Sequence, residues 1–196
     1  MVDVSVAGVK FVSDFIIGVA TRFKTDKREL FDNHIEPLFL QMKDIHDDYL
    51  KGFHAAKVLI QTRATPTSEI IQFLDERRLF LYVEREVSAS LAEELKIGRS
   101  ILRREPGWQT VEKFCQHIIH YFHAAGTVGC VSWFTDYLTQ LRMMSKYDFA
   151  TWDQTAIAGD PHVAMLEGIE NIITKQLPKA FAPIINSYSQ LRIELK

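Results

Sequence analysis

Apolar positions recur at spacings of three and four along most of this chain, and no two strand-like runs exist that could pair with one another. From Leu38 the series Leu38, Met42, Ile45, Tyr49, Phe53 and Ala56 draws one seam along a helix at about 100° per residue, a surface for packing against another helix. Asp26, with Glu29 three residues later, is a box-like start signal for this segment. Pro37 kinks or restarts it, because the ring cannot fit against the carbonyl four residues back. Thr65 is then the expected N-cap and Pro66 the first helical residue of a short helix reaching to about Arg77. A longer helix follows, with Val83, Val87, Leu91 and Leu95 as its ridge. The run Leu79 to Val83 is apolar enough for a buried strand, but the ridge continues beyond it, which assigns it to a helix. Arg103 and Arg104 at the negative end of the helix dipole, followed by Pro106 and Gly107, mark the stop.

The region Thr110 to Met144 is strongly apolar and is interrupted at Gly126 and Gly129. It reads either as one buried helix or as two meeting at "AAGTVG". A polar loop containing a tryptophan follows from Asp148, and Asp160-Pro161 caps a further helix expected to end before Pro178. The last helix, "KAFAPIINSYSQLRIELK", carries Pro183 near its start. The pattern predicts an all-α fold, a bundle of about six or seven helices, several of them long and amphipathic. With no internal repeat and no low-complexity linker, residues 1–196 are expected to form a single helical domain.

The stretch "MVDVSVAGVKFVSDFIIGVATRFK" raises the question of a membrane. Asp3, Lys10 and Asp14 interrupt the apolar run, so it has neither the charge order of a signal peptide nor the 18 or so apolar residues of a spanning helix. On a helical wheel Asp3, Lys10, Ser13, Asp14, Thr21 and Lys24 fall on one side, while Val12, Phe15, Ile16, Val19 and Phe23 fall on the other. Phe11, Phe15, Ile16, Val19 and Phe23 are therefore the candidate contacts, either with the bundle core or a partner, or with a membrane surface.

Composition adds limits. The chain has 196 residues, 47% of them hydrophobic, enough to bury roughly 70% of the unfolded surface without staples. With 23 Lys+Arg against 25 Asp+Glu the formal charge is −2, so no basic field favours nucleic acid. Cys115 and Cys130 would stand about 22 Å apart on a continuous helix, at 1.5 Å per residue. That distance forbids a disulfide, and free thiols suit a reducing cytoplasm, the expected location.

The stretch "KFCQHIIHYFHAAG" places His117, His120 and His123 three residues apart, and histidine is the commonest metal ligand. Around Ile118, the residues Val111, Phe114, Cys115, Tyr121, Phe122 and Ala125 gather near the apolar axis. His120 and His123 point away with Lys113 and Gln116, and His117 lies at the boundary. The outer two histidines diverge by about 120°, so one unbent helix cannot bring all three to one ion. A site would need help from His34, Glu36, His46 or Asp47. There is no Glu-x-x-His pair of the di-iron kind, no Walker loop, no GxGxxG, no GxSxG, no HExxH and no C-x-x-C. No metal and no cofactor are therefore expected. Asp44, Asp47 and Asp48, with Lys43 and Lys51 at four-residue spacing from Asp47, read as a solvated face, as do the charges in "LDERR" and "VEREV".

"RELFDNH" places Arg28 and His34 six residues apart. This spacing resembles the Arg/His motif of helical HEPN ribonucleases, in which the pair acts on an RNA phosphodiester without metal. The resemblance implies His34 as general acid/base and Arg28 as phosphate stabiliser. The structural alternative is a helix-start ion pair of Arg28 with Asp32. Long amphipathic helices and many aromatics, without the usual catalytic parts, point to protein–protein interaction: homo-oligomerisation, or service as a partner-binding subunit. A membrane-surface or membrane-perturbing effector using the first helix is the alternative.

Overall fold

A computed structural model of the chain describes residues 27–80, 82–97, 107–122, 132–146 and 161–196. Its elements are α1 (Lys27–Leu30), a π-helical turn (Phe31–Ile35), α2 (Glu36–Gln61), α3 (Thr67–Leu79), α4 (Tyr82–Ile97), α5 (Trp108–Phe122), α6 (Trp133–Lys146), α7 (Pro161–Asn171), a second π-helical turn (Ile172–Gln176) and α8 (Leu177–Leu195). The π turns join their neighbours without a break, so the described residues make six helical rods and no strand. The fold is all-α, of the helical-bundle class.

Both π turns precede a proline by one residue. Glu36 N–H donates to Phe31 O and Leu177 N–H donates to Ile172 O, five residues back rather than four. The extra residue widens the turn at Pro37 and at Pro178, where an α-helical carbonyl would meet the ring. Pro37 therefore does not restart its helix, which runs through it without a break. The helix expected to end before Pro178 continues to Leu195. Pro183 also lies inside α8.

Two compact units can be distinguished, the first drawing on residues up to Ile45, Val83–Cys130 and Ala180–Lys196, the second on His46–Tyr82 and Val131–Lys179. In the first unit, Leu38, Met42 and Ile45 of α2 are buried, as are Leu91 and Ala92 of α4 and Phe181, Ile184, Leu191 and Leu195 of α8. Gln41 Nε2 donates to Glu84 O at 3.3 Å and links α2 to α4. Helix α5 begins after Gly107, whose φ of 88° only glycine adopts readily. The Gly107 carbonyl accepts from Thr110 N (3.1 Å) and Val111 N (3.3 Å). All of Val111, Phe114, Cys115, Ile118, Tyr121 and Phe122 are at most 1% exposed, which is the apolar face drawn from the pattern; Ala125 lies outside the described residues.

In the second unit, α3 packs along α6, and α6 against α7. The seam continues through Tyr49, Phe53 and Ala56, all fully buried, to Ile60. The ring of Phe134 stands 5.0 Å from Tyr49 and 4.9 Å from Phe53, while Tyr137 meets Phe53 edge-on at 5.9 Å. Only glycine at 52 permits this approach: a Cβ there would lie 2.6 Å from Phe134 Cζ. Ser132 caps α6, its Oγ accepting from Phe134 N at 3.3 Å and its carbonyl from Thr135 N at 2.8 Å.

Several expectations are corrected. Pro66, with φ −57° and ψ 143°, is the N-cap of α3 and Thr67 its first residue; Thr65 instead places its hydroxyl 3.4 Å from that of Thr62. Of the ridge expected on α4, Leu91 is buried, but Val83 is exposed and Val87 half-buried, whereas Arg85, Ser88 and Ala92 are buried; the side chain of Leu95 lies outside the described residues. Asp48 is buried rather than solvated, because Arg77 reaches it from α3. The helices either side of "AAGTVG" are described but the junction is not. Residues 1–24, Asp26, His123, Cys130 and the loop from Asp148 also lie outside the described residues, and with them the candidates Phe11, Phe15, Ile16, Val19 and Phe23. Among the described residues no helix is long and apolar enough to cross a membrane.

Candidate functional site

Arg28 is exposed, and its Nε lies 3.8 Å from Asp32 Oδ2 one helical turn on. This is the helix-start pair, and it engages the guanidinium that a phosphodiester would require. His34 is half-buried on the π turn. Among the histidines of α5, His120 is exposed and His117 half-buried at the boundary of the apolar face. No group of three or more His, Cys, Asp or Glu side chains is placed to hold a metal ion among the described residues.

His117 does meet a hydroxyl: its Nδ1 lies 3.2 Å from Ser187 Oγ on α8. A serine–histidine pair can be catalytic if the imidazole accepts the hydroxyl proton. Here the single proton of Ser187 has backbone acceptors, Pro183 O at 2.8 Å and Ile184 O at 3.1 Å, which compete with the imidazole for it. Ser187 is also 95% buried, with a relative exposure of 5%. The arrangement is a clip between α5 and α8 beside Pro183, not an activated nucleophile. Burial lowers the His117 pKa from its ordinary 6.5, helped by His120 and Lys113 and opposed by the Pro183 carbonyl.

A denser polar cluster joins the end of α8 to the start of α2 in the same unit. Tyr188 stacks on Phe39 at 3.8 Å with rings 5° from parallel, and donates its hydroxyl to Glu36 Oε1 at 3.2 Å. Burial, then the hydrogen bond to Glu36 and that carboxylate's charge, raise the Tyr188 pKa. Lys196 Nζ lies 3.0 Å from Asp32 Oδ1, 3.5 Å from Glu36 Oε2 and 5.0 Å from the centre of the Phe31 ring. Its pKa is raised, first by the Asp32 hydrogen bond.

The second unit presents an apolar surface instead. Leu79, Phe80 and Tyr82 are 63%, 53% and 53% exposed, an unusual outlay of large side chains in four residues. Phe80 is the extended C-cap of α3, at φ −66° and ψ 139°, which turns the chain out of the helix there. Arg77 lies 4.8 Å over the Phe80 ring and also pairs with buried Asp48. The neighbouring cations are likewise engaged by carboxylates: Arg78 with Asp75 at 3.2 Å, and Arg142 with the other oxygen of Asp75. The apolar surface is therefore flanked by three arginines on two carboxylates, since Arg78 and Arg142 share Asp75. The apolar spacing hides it, because Val83 falls on the same four-residue series as buried Leu91. The available signal was the five consecutive apolar residues from Leu79 to Val83, since no single helical face can bury five in a row.

No protein-family model matches the chain, and comparison with curated proteins and with solved structures gives no significant match.

Proposed function

We propose that this protein is a non-catalytic helical interaction module that associates with a second copy of itself through Leu79, Phe80 and Tyr82. The observation that carries the reading is the exposure of these three side chains, at 63%, 53% and 53%. Exposed apolar patches cost solubility unless something covers them, and aromatic residues supply much of the energy of protein contacts. A two-fold contact sets the same apolar surface against itself, which requires no charge complementarity. Three side chains supply a few hundred Å² per copy, below the roughly 800 Å² per partner of a stable interface. The association is accordingly weak.

Sedimentation velocity over a concentration series tests this. Wild-type protein is expected to show association that the double variant Phe80→Ser/Tyr82→Ser loses while its helix content and melting temperature stay nearly the same. Wild-type and variant proteins sedimenting alike as monomers at the highest concentrations would overturn the reading.

A further inference from the structure

In the second unit a surface aromatic and a buried carboxylate meet at one side chain, that of Arg77. We infer, resting on the self-association through Leu79, Phe80 and Tyr82, that Asp48 and Arg77 are positioning residues for Phe80. Their ion pair presets the ring in the orientation in which it meets the second copy, so that a residue of the core sets the strength of the surface contact.

Local geometry brings Phe80 to Arg77. The Phe80 N–H donates to Glu76 O at 3.2 Å and closes α3, after which a ψ of 139° carries the backbone out of the helix. Side chains three residues apart at a helix surface are neighbours, and the Phe80 ring centre lies 4.8 Å from the Arg77 guanidinium carbon. This is inside the roughly 6 Å over which a ring face attracts a cation. Such a contact would order the ring little if the arginine itself were loose, because an exposed arginine has many rotamers to choose from.

Tertiary structure removes that freedom. Asp48 Oδ1 on α2 accepts from Arg77 Nη2, and a Cβ at Gly52, one turn further along α2, would stand 3.8 Å from Arg77 Nε. The guanidinium therefore lies against α2 as well as over the ring. Asp48 is 8% exposed along its side chain, and a carboxylate buried to that degree holds its cation closely because losing it is costly. Arg77, 29% exposed, spans the distance from core to surface. Its guanidinium is planar and rigid, so fixing it on α2 also fixes the face it offers to Phe80. Ordering a free side chain on association costs affinity, and here the ring is ordered before the second copy arrives.

The test compares full-length wild type with Asp48→Asn, by sedimentation velocity over a concentration series and by NMR three-bond couplings that report the Phe80 χ1 rotamer in dilute, monomeric samples. Asp48→Asn keeps the shape of a side chain that is itself buried and removes its charge. It is expected to weaken self-association about two- to tenfold and to let Phe80 average among rotamers. Wild type, which needs no variant to fold, should show one Phe80 rotamer as a monomer. Rotamer averaging in the wild-type monomer would overturn the inference, as would Asp48→Asn protein whose Phe80 rotamer is unchanged or whose association is equal to or tighter than that of wild type. A wild type that stays monomeric at every concentration would instead overturn the self-association, and the Phe80 rotamer in the two proteins would then decide the positioning alone.

Discussion

The two units join their helices with the same residue types arranged in opposite ways. In the first, charges sit at the rim: Lys196, Asp32 and Glu36 are 31%, 40% and 36% exposed along their side chains. The aromatic contacts there extend outward through half-buried Tyr188 and Phe39. In the second, a carboxylate lies inside. Asp48 is only 8% exposed along its side chain and is met by Arg77, and the rings of Tyr49, Phe53, Phe134 and Tyr137 are all buried around fully enclosed Phe134. Because an ion pair's contribution follows its solvation, the two pairs are expected to differ in what their loss costs. Exposed pairs exchange with water at little cost, whereas a buried carboxylate depends on its cation.

The largest expected effect tests the aromatic half of this contrast. Phe134→Ala should cost about 3 to 5 kcal/mol, since the ring fills the space between Tyr49 and Phe53 and leaves a cavity. Phe39→Ala in the first unit should cost less, because that ring is partly exposed. Urea unfolding of the two variants measures both, and equal losses would remove the distinction between an enclosed and an open aromatic cluster.

The ionic half comes next. Arg77→Met removes the cation from buried Asp48 and is expected to cost about 2 to 4 kcal/mol, whereas Lys196→Met should cost less than about 1 kcal/mol. Raising salt should weaken the Lys196 contribution and leave that of Arg77 nearly unchanged. A Lys196→Met loss as large as that of Arg77→Met would break the comparison.

The smallest effect is shared by the units, each of which holds a histidine at least partly out of water, His46 buried and His117 half-buried. Burial lowers the pKa of His46, against an opposing influence from Asp47, and burial likewise lowers that of His117. The folded chain therefore refuses protons that the unfolded chain accepts as pH falls below 6.5, the ordinary value. Stability should drop through that range and level off once the folded-state pKa values are passed. Denaturation curves at about pH 7.5 and about pH 5.5 read the slope. His46→Gln and His117→Gln should each flatten it, and a flat wild-type profile would contradict both burials.

Periodicity alone determined the all-α class, the seam from Leu38 to Ala56 and the buried face of α5, because each rests on apolar residues repeating at the helical interval within one element. The same local logic placed His120 in solvent and His117 at the edge, and offered the Arg28–Asp32 pair found at the helix start. Tertiary structure decided whatever depended on a residue distant in sequence. Asp48 read as a surface charge until α3 brought Arg77 against it, 29 residues along the chain. Arg85 and Ser88 became buried, and Val83 exposed, because neighbouring helices chose which side of α4 to cover. Pro178 did not end its helix because a π turn absorbed the ring. Lys196 meets Glu36, 160 positions away, and no local pattern encodes that meeting: helical period fixes which side chains share a face, while only packing fixes what that face meets.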